Sequence, residues 1–487
     1  MDGGDARASL PRPTMIEVAV VGVLTLLGLR LGLRAISDNS MLLHLRTGVD
    51  IVRSGHIPRH DPYSFTAPGH AWVVQSWLAE VTYGVAHELG GFRAVVIEQG
   101  VLCAVLALVI ALLARTGHSI GTVIAAGSSV LAGAILWAPR PFLFGLLGLA
   151  LLIFVVERRR SPWWLLPVVW VWVNTHGSFP LGVAWLGATY FGSVFDTRRR
   201  PRWLEPYIGT FVLGLAISAI NPLGPRLLAF PFVVQAHTKV FQLIIEWRSP
   251  NFQLGYAFVT LMALAVGLLV LLRKGAPWAD VLPFVGFLVA GLIAVRNLPF
   301  AAVVLAPVLG HALRGTARPA PQPVAASVGT GTPRALPPPI VPALGIAAVA
   351  LTVVALRAGP IDLSSYPTGG EAYMASHGLL TNAHRIAAAD VVGNYRELVE
   401  GARQNVFIDD RYDMYPASVV NDSQTILDGQ GAALAALKKW NIDVLVAKKG
   451  TGSTGLLHAV GGWRTVWSDA HWEIMLKDPT APPSPPA

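Results

Sequence analysis

Residues 141–160 read PFLFGLLGLALLIFVVERRR, an unbroken apolar run from Phe142 to Val156 that stops at Glu157 and is followed at once by Arg158, Arg159 and Arg160. An α-helix rises 1.5 Å per residue, and the hydrocarbon of a bilayer takes about 20 residues to cross, with a lower bound near 17. A run of this length bounded by a basic cluster reads as a membrane span whose arginine end stays in the cytoplasm. The same pattern recurs on both sides. Apolar spans are predicted at 15–35, 93–114, 119–137, 141–157, 162–175, 179–196, 205–221, 257–273, 281–295, 298–313 and 339–358. With the N-terminus inside, the basic loops at Arg158–Arg160, at Arg198, Arg199, Arg200 and Arg202, and at Arg273 and Lys274 all fall on the cytoplasmic side, as does the Pro-rich linker from Arg314 to Pro339. That agreement requires the segment from Gln75 to Gly90 to lie along the outer surface as a juxtamembrane helix rather than cross.

Composition agrees. Of 487 residues 53% are hydrophobic and 13% charged, against roughly 25% charged in an ordinary soluble domain. The net charge of +9 comes from arginines clustered between apolar runs, with no basic face interleaved with aromatics, so it marks topology and not a nucleic-acid partner. Cys103, the single cysteine, lies inside an apolar run, which excludes disulfides within the chain and cysteine-based metal sites. Arg7 and Arg12 precede the first span, and Arg30 and Arg34 follow with no small-residue cleavage site, the pattern of a signal anchor.

The fold class is therefore an α-helical polytopic membrane protein with about 11 spans and a small C-terminal α/β domain outside the membrane. Residues 1–14 form a cytoplasmic N-terminus, 15–358 the multi-pass domain with an outer loop at 37–92, 359–478 the outer α/β domain, and 479–487 a tail without structure. In the outer domain Ile386 to Val392, Asn405 to Ile408, Val444 to Ala447 and Trp472 to Leu476 read as strands, and Gly429 to Trp440 as an amphipathic helix.

The conspicuous polar residues gather on the outer side. Asp38 ends the first span, where a carboxylate sits in place to take a proton from a hydroxyl or to hold a divalent ion; the alternative is an aspartate that bonds neighbouring amides. His44 falls on another face of the following helix, so the two form no dyad. His60-Asp61-Pro62 has turn character, and for Asp61 capping competes with chemistry. Trp72 and Trp77 suit the headgroup zone. Arg140, Arg226, Arg248 and Arg296 lie outside against the positive-inside trend. A guanidinium grips phosphate by a two-pronged fork, so a lipid-linked phosphate is the ligand class to expect, with snorkelling or pairing to Glu246 as the alternative. Asn174-Thr175-His176-Gly177-Ser178 adds a polar turn that contains His176. No His-Glu-x-x-His, Walker loop or Gly-x-Ser-x-Gly elbow occurs.

The order of parts, together with Asp38 to His44, Asp61-Pro62-Tyr63-Ser64-Phe65-Thr66, Trp72 and Trp77-Leu78, resembles the GT-C superfamily of glycosyltransferases and, within it, bacterial mannosyltransferase-like membrane proteins. Asn221-Pro222-Leu223-Gly224, Glu246-Trp247-Arg248-Ser249-Pro250 and Phe407-Ile408-Asp409-Asp410-Arg411 carry the same resemblance. It implies a transferase of the bacterial cell membrane that moves a sugar from a polyprenyl-phosphate donor to an envelope glycan, lipid or protein. Asp38 would then be the base or the ligand of a divalent cation, and Arg140, in Ala138-Pro139-Arg140-Pro141, a phosphate ligand. Topology adds Arg296 to the phosphate site. Where such proteins often carry a Glu before the Trp-Leu pair, this chain has Gln75-Ser76; the alternative implied is a non-catalytic envelope assembly or binding protein on the same scaffold.

Overall fold

The computed structural model describes residues 13–236, 244–314 and 340–484. Most of the predicted cytoplasmic N-terminus, the Pro-rich linker, residues 237–243 of the outer segment after Asn221, and the last three residues of the tail lie outside the described residues. Two compact units divide the chain: Met1–Arg34, Arg93–Leu228 and Ile244–Pro360 form the first, and Ala35–Phe92, Ala229–Leu243 and Ile361–Ala487 the second.

The first unit is helical throughout. It contains α1 (Met15–Gly32), the later part of α3 (Trp77–Leu113), α4 (Ser119–Gly133), α5 (Phe142–Glu157), α6 (Leu165–Thr175), α7 (Pro180–Thr197) and α8 (Glu205–Ile217). After α9 (Arg226–Ala236), which begins in it, follow α10 (Gly255–Lys274), α11 (Trp278–Ile293), α12 (Leu298–Arg314) and α13 (Ile340–Arg357). A helix stands at each predicted span. Among the described residues four helical segments, Met15–Gly32, Trp77–Leu113, Val295–Arg314 and Ile340–Arg357, are long and apolar enough to cross a membrane, and five more are apolar but shorter.

Helix α12 is the axis of the bundle. Every residue from Leu298 to Gly310 is buried, because α4, α5, α10 and α11 all pack on it. Helix α13, equally apolar, buries none of its residues and lies against α1. Lipid tails solvate leucine as well as another helix does, so helix association in a membrane depends on close fit and polar contacts rather than on hiding apolar surface. Gly28 and Gly32 of α1 show that fit. A Cβ on Gly28 would stand 2.6 Å from the Cys103 carbonyl oxygen, and one on Gly32 2.6 Å from that of Gln99, so the two helices touch backbone to backbone. At the start of α1, Thr14 caps the Glu17 amide at 3.1 Å. The buried Glu17 carboxylate meets Arg115 at 3.0 Å and the Thr122 hydroxyl at 3.2 Å, which is how an acid survives inside such a bundle.

Helix α3 is broken at Gly90 and Gly91, the latter at φ 62° and ψ −157°, a conformation open essentially only to glycine. The break falls where the sequence reading separated a juxtamembrane helix from the span that follows it. The unit boundary lies at Phe92.

The second unit is built around a four-stranded sheet in the order β1-β2-β4-β3, from β1 (Ile386–Ala388), β2 (Val444–Lys448), β3 (Trp463–Ser468) and β4 (Trp472–Lys477). β1 and β2 are parallel; the other two pairs are antiparallel. Its helices are α2 (Asn39–Ser54), the first part of α3, α14 (Thr368–Ser376), α15 (Asp390–Glu400), α16 (Ala417–Leu427), α17 (Ala433–Lys439) and α18 (Gly452–Val460). Met374, Leu379, Ile386, Val392, Val446 and Ile474 belong to its apolar core.

The outer loop 37–92 is an integral part of this unit. Val406 donates to the Tyr63 carbonyl at 3.3 Å and accepts from the Phe65 amide at 3.0 Å, and Asp362 donates to the Ile36 carbonyl at 2.9 Å. Three details differ from the sequence reading. The strand expected over 386–392 ends at Ala388, because Asp390 opens α15. Residues 405–408 pair only with the outer loop, through an isolated bridge between Ser64 and Val406. Strand β3 was not foreseen. The tail is described to Ser484, whose amide donates to the His458 carbonyl at 2.9 Å.

Candidate functional site

Asp38 is the N-cap of α2, its carboxylate accepting from the Met41 amide at 3.3 Å. Its surroundings are acidic. Helix α2 packs on α15. The Ser40 hydroxyl and the Asn39 amide, the latter at 3.3 Å, donate to the Asp410 carboxyl. Asn394 ties the two segments together, accepting from the Asp410 amide at 3.2 Å and donating to the Asn39 carbonyl at 3.3 Å. Asp390 stands in the first turn of α15 and acts on the Asp410 carboxyl.

Burial, then the Asp390 charge and the hydrogen bond to it, and then Asp38 push the Asp410 carboxyl well above the usual carboxylate range. Two adjacent carboxylates cannot both ionise cheaply. Two phenols line the same cluster. Burial first and then Asp390 and Asp410 raise Tyr412, and burial and then Asp38 raise Tyr366.

The start of α3 crosses α2 without intervening side chains. A Cβ on Gly48 would lie 1.9 Å from the Glu80 carbonyl oxygen, and one on Gly84 2.3 Å from that of Gly48. This crossing sets His44 Nδ1 2.8 Å from Glu80 Oε1. The second Glu80 oxygen is buried and has no hydrogen-bond partner among the described residues. A carboxylate thus follows the Trp77-Leu78 pair, although Gln75-Ser76 precedes it.

Asp61 has a different setting. It accepts the Tyr63 amide at 3.0 Å and the Ser64 amide at 3.2 Å, takes the Ser64 hydroxyl, and pairs with Arg411 at 2.7 Å. Arg411 also grips Asp409 and lies over the rings of Trp72 and Tyr63, 4.6 and 4.9 Å from their centroids. All of these groups are buried. Against its burial, the Arg411 charge and hydrogen bonds hold Asp409 low, whereas burial and then the Asp409 charge push Glu397 up.

The remaining site candidates belong to the first unit. Arg140 forms an ion pair with Glu246, and the Arg296 guanidinium lies 4.2 Å from the centroid of the Trp247 ring. The short turns at Ile245–Trp247 and Val295–Asn297 pack together, with the Val295 amide donating to the Arg248 carbonyl at 3.0 Å. Arg140, Glu246 and Arg296 are therefore one cluster of two guanidinium groups and a carboxylate beside an indole face. His176 points elsewhere. Its Nδ1 lies 2.8 Å from the Ser178 hydroxyl, and its ring meets the Phe142 ring edge-on at 5.8 Å.

No protein-family model matches the sequence, and neither does any curated protein. Among solved structures, that of ArnT from Cupriavidus metallidurans bound to undecaprenyl phosphate is similar over 97% of this chain and 99% of its own, with a TM-score of 0.50 at 15% identity. At that identity the likeness is one of fold, that of a polytopic helical membrane protein with a small C-terminal sheet. The apo structure of the same ArnT gives a TM-score of 0.46 at 14% identity over 94% of this chain and 96% of that one.

The acids that surround Asp38 were not among the sequence candidates. Asp390 and Asp410 come from the far end of the chain, and only the motif Asp409-Asp410-Arg411 hinted at them. Glu80 left a fainter signal, an acid within an otherwise apolar juxtamembrane segment. Among the described residues no three His, Cys, Asp or Glu side chains are grouped to hold a metal ion.

Proposed function

We propose that the chain transfers a sugar from a polyprenyl-phosphate-linked donor to an acceptor of the bacterial envelope, at the outer face of the plasma membrane, with its N-terminus in the cytoplasm. The observation that carries this reading is the setting of Asp38: a carboxylate that caps a helix, beside an Asp410 carboxyl that its surroundings push above the usual range. The acceptor hydroxyl oxygen attacks the anomeric carbon, its proton passes to Asp38, and the sugar–phosphate C–O bond breaks with the electron pair leaving on the lipid phosphate. Arg140 and Arg296, the latter stacked on Trp247, are the chain's candidate ligands for a lipid phosphate. General-base catalysis of this kind contributes about 10²–10⁴ in rate.

The bound undecaprenyl phosphate of the ArnT structure supports a lipid-phosphate partner. Proteoliposomes supplied with lipid-linked sugars test the assignment: Asp38→Asn is expected to slow transfer by at least about 100-fold, and Arg296→Ala to reduce it as well. Full activity in both variants would sink it. A second reading, a non-catalytic envelope assembly protein on this scaffold, is favoured by Gln75-Ser76 in place of the acid. A stoichiometric co-purifying partner, with no turnover on any lipid-linked sugar, would establish that one instead.

A further inference from the structure

The second unit carries a cleft of about 440 Å³ lined by Ser364, Ser365, Lys448, Lys449, His471 and Trp472. The mechanism above does not use it. Its floor is the end of the β2–β4 ladder, where Lys448 stands opposite Trp472 and the Lys449 amide donates to the His471 carbonyl at 2.9 Å. The Lys448 ammonium is exposed and lies 5.4 Å from the centroid of the Trp472 ring.

Both rims are stiffened by aspartates that spend their carboxylates on the backbone. Asp469 accepts the amides of His471 and Trp472, each at 2.7 Å, and so fixes the β3–β4 turn. Asp362 accepts the Ser364 amide at 3.0 Å and the Ser364 hydroxyl, which fixes the opposite wall. Asp469 also feels the charges of His471 and Lys449. The Asp362 and Asp469 carboxylates are engaged by the backbone at the rims, and Lys448 and Lys449 are the ammonium groups that line the cleft between them. Hydroxyls, ammonium groups and the edge of an indole within one fixed cleft are the groups that recognise an acidic sugar: the cations take its phosphate or carboxylate, and the rest take its ring and hydroxyls.

We infer that this cleft binds an anionic saccharide, a sugar bearing phosphate or carboxylate, by its charged group. That the bound sugar is part of the acceptor rests on the glycosyltransferase reading; binding itself does not. The test uses the full chain in detergent micelles and measures affinity without turnover, with trigalacturonate and glucose 6-phosphate as probes, maltotriose as neutral control and phosphatidylglycerol vesicles as the lipid source of the same charge. Binding of either anionic sugar, weakened at least tenfold by K448E/K449E and by added salt while Asp38→Asn leaves it intact, is the expected result. Should K448E/K449E fail to fold, K449Q/H471Q makes the same comparison. Equal affinity for maltotriose, parent-like binding by a folded lysine variant, or binding to the vesicles alone would overturn the proposal. Loss of transfer in Asp38→Asn with these affinities unchanged separates the fate of this cleft from that of the catalytic assignment.

Discussion

Asp409 and Asp410 are neighbours in sequence and belong to polar regions with opposite electrostatics. Around Arg411, the carboxylates of Asp61, Asp409 and Glu397 share one guanidinium, two aromatic faces and near-complete burial. Around Asp410, the carboxyls of Asp38 and Asp390 meet hydroxyls, amides and phenols. The cation makes the difference. Where it is present, charge is paired and the cluster acts as a fastener between the outer loop and the C-terminal segment. Where hydroxyls, amides and phenols take its place, the Asp410 carboxyl is pushed above the usual range.

The largest effect that could break this contrast is on stability. Arg411→Ala leaves several buried acids uncompensated and is expected to cost about 3–5 kcal/mol, seen as a collapse in yield and melting temperature. Asp38→Asn, whose amide caps α2 nearly as well, is expected to melt within about 1 kcal/mol of the parent. The reverse order would show the two regions to be misassigned.

Gly84→Leu is next. It forces a side chain into the Gly48 backbone at the crossing that supports Asp38 and is expected to cost about 1–3 kcal/mol. Transfer activity should fall further than the melting temperature alone explains.

A pH series sharpens the proton side of the comparison. The folded Asp410 carboxyl is raised, so its contribution to stability is complete below the unfolded value of about 3.9 and is lost as pH rises through the folded value. The melting temperature of the parent should therefore drop relative to that of Asp410→Asn between pH 4 and pH 8. Parallel curves would mean that no proton is held there.

The smallest effect belongs to Tyr63→Phe, which removes a 2.9 Å hydrogen bond to Asp50 while keeping the ring against Arg411. It is expected to cost about 1 kcal/mol by thermal melting, with no change in the pH series.

The helices could be read from the sequence because a bilayer makes composition decisive. Arg158–Arg160 and the glycines at 90 and 91 marked ends that the structure reproduces. Local polar bonds were legible too: the Asp61 carboxylate captures amides two and three residues ahead, as its turn sequence suggested. Partners from a distant segment left no trace. Nothing near Asp38 announces Asp390, nothing near Asp61 announces Arg411, and residues 405–408, strand-like in sequence, spend their edge on the outer loop. Arg140, Glu246 and Arg296 were grouped by sidedness alone, and the first unit brings them together.

The Thr66 hydroxyl donates to the Phe407 carbonyl at 2.6 Å across 341 positions of chain. At synthesis rates of about 5–20 residues per second, the outer loop emerges roughly 20 to 70 s before its other half exists. During that interval Asp61, Tyr63 and Trp72 face solvent without Arg411. Biogenesis thus has a waiting period that the finished molecule conceals, and a chain halted before Arg411 would present this loop to proteases and chaperones as an unfolded segment.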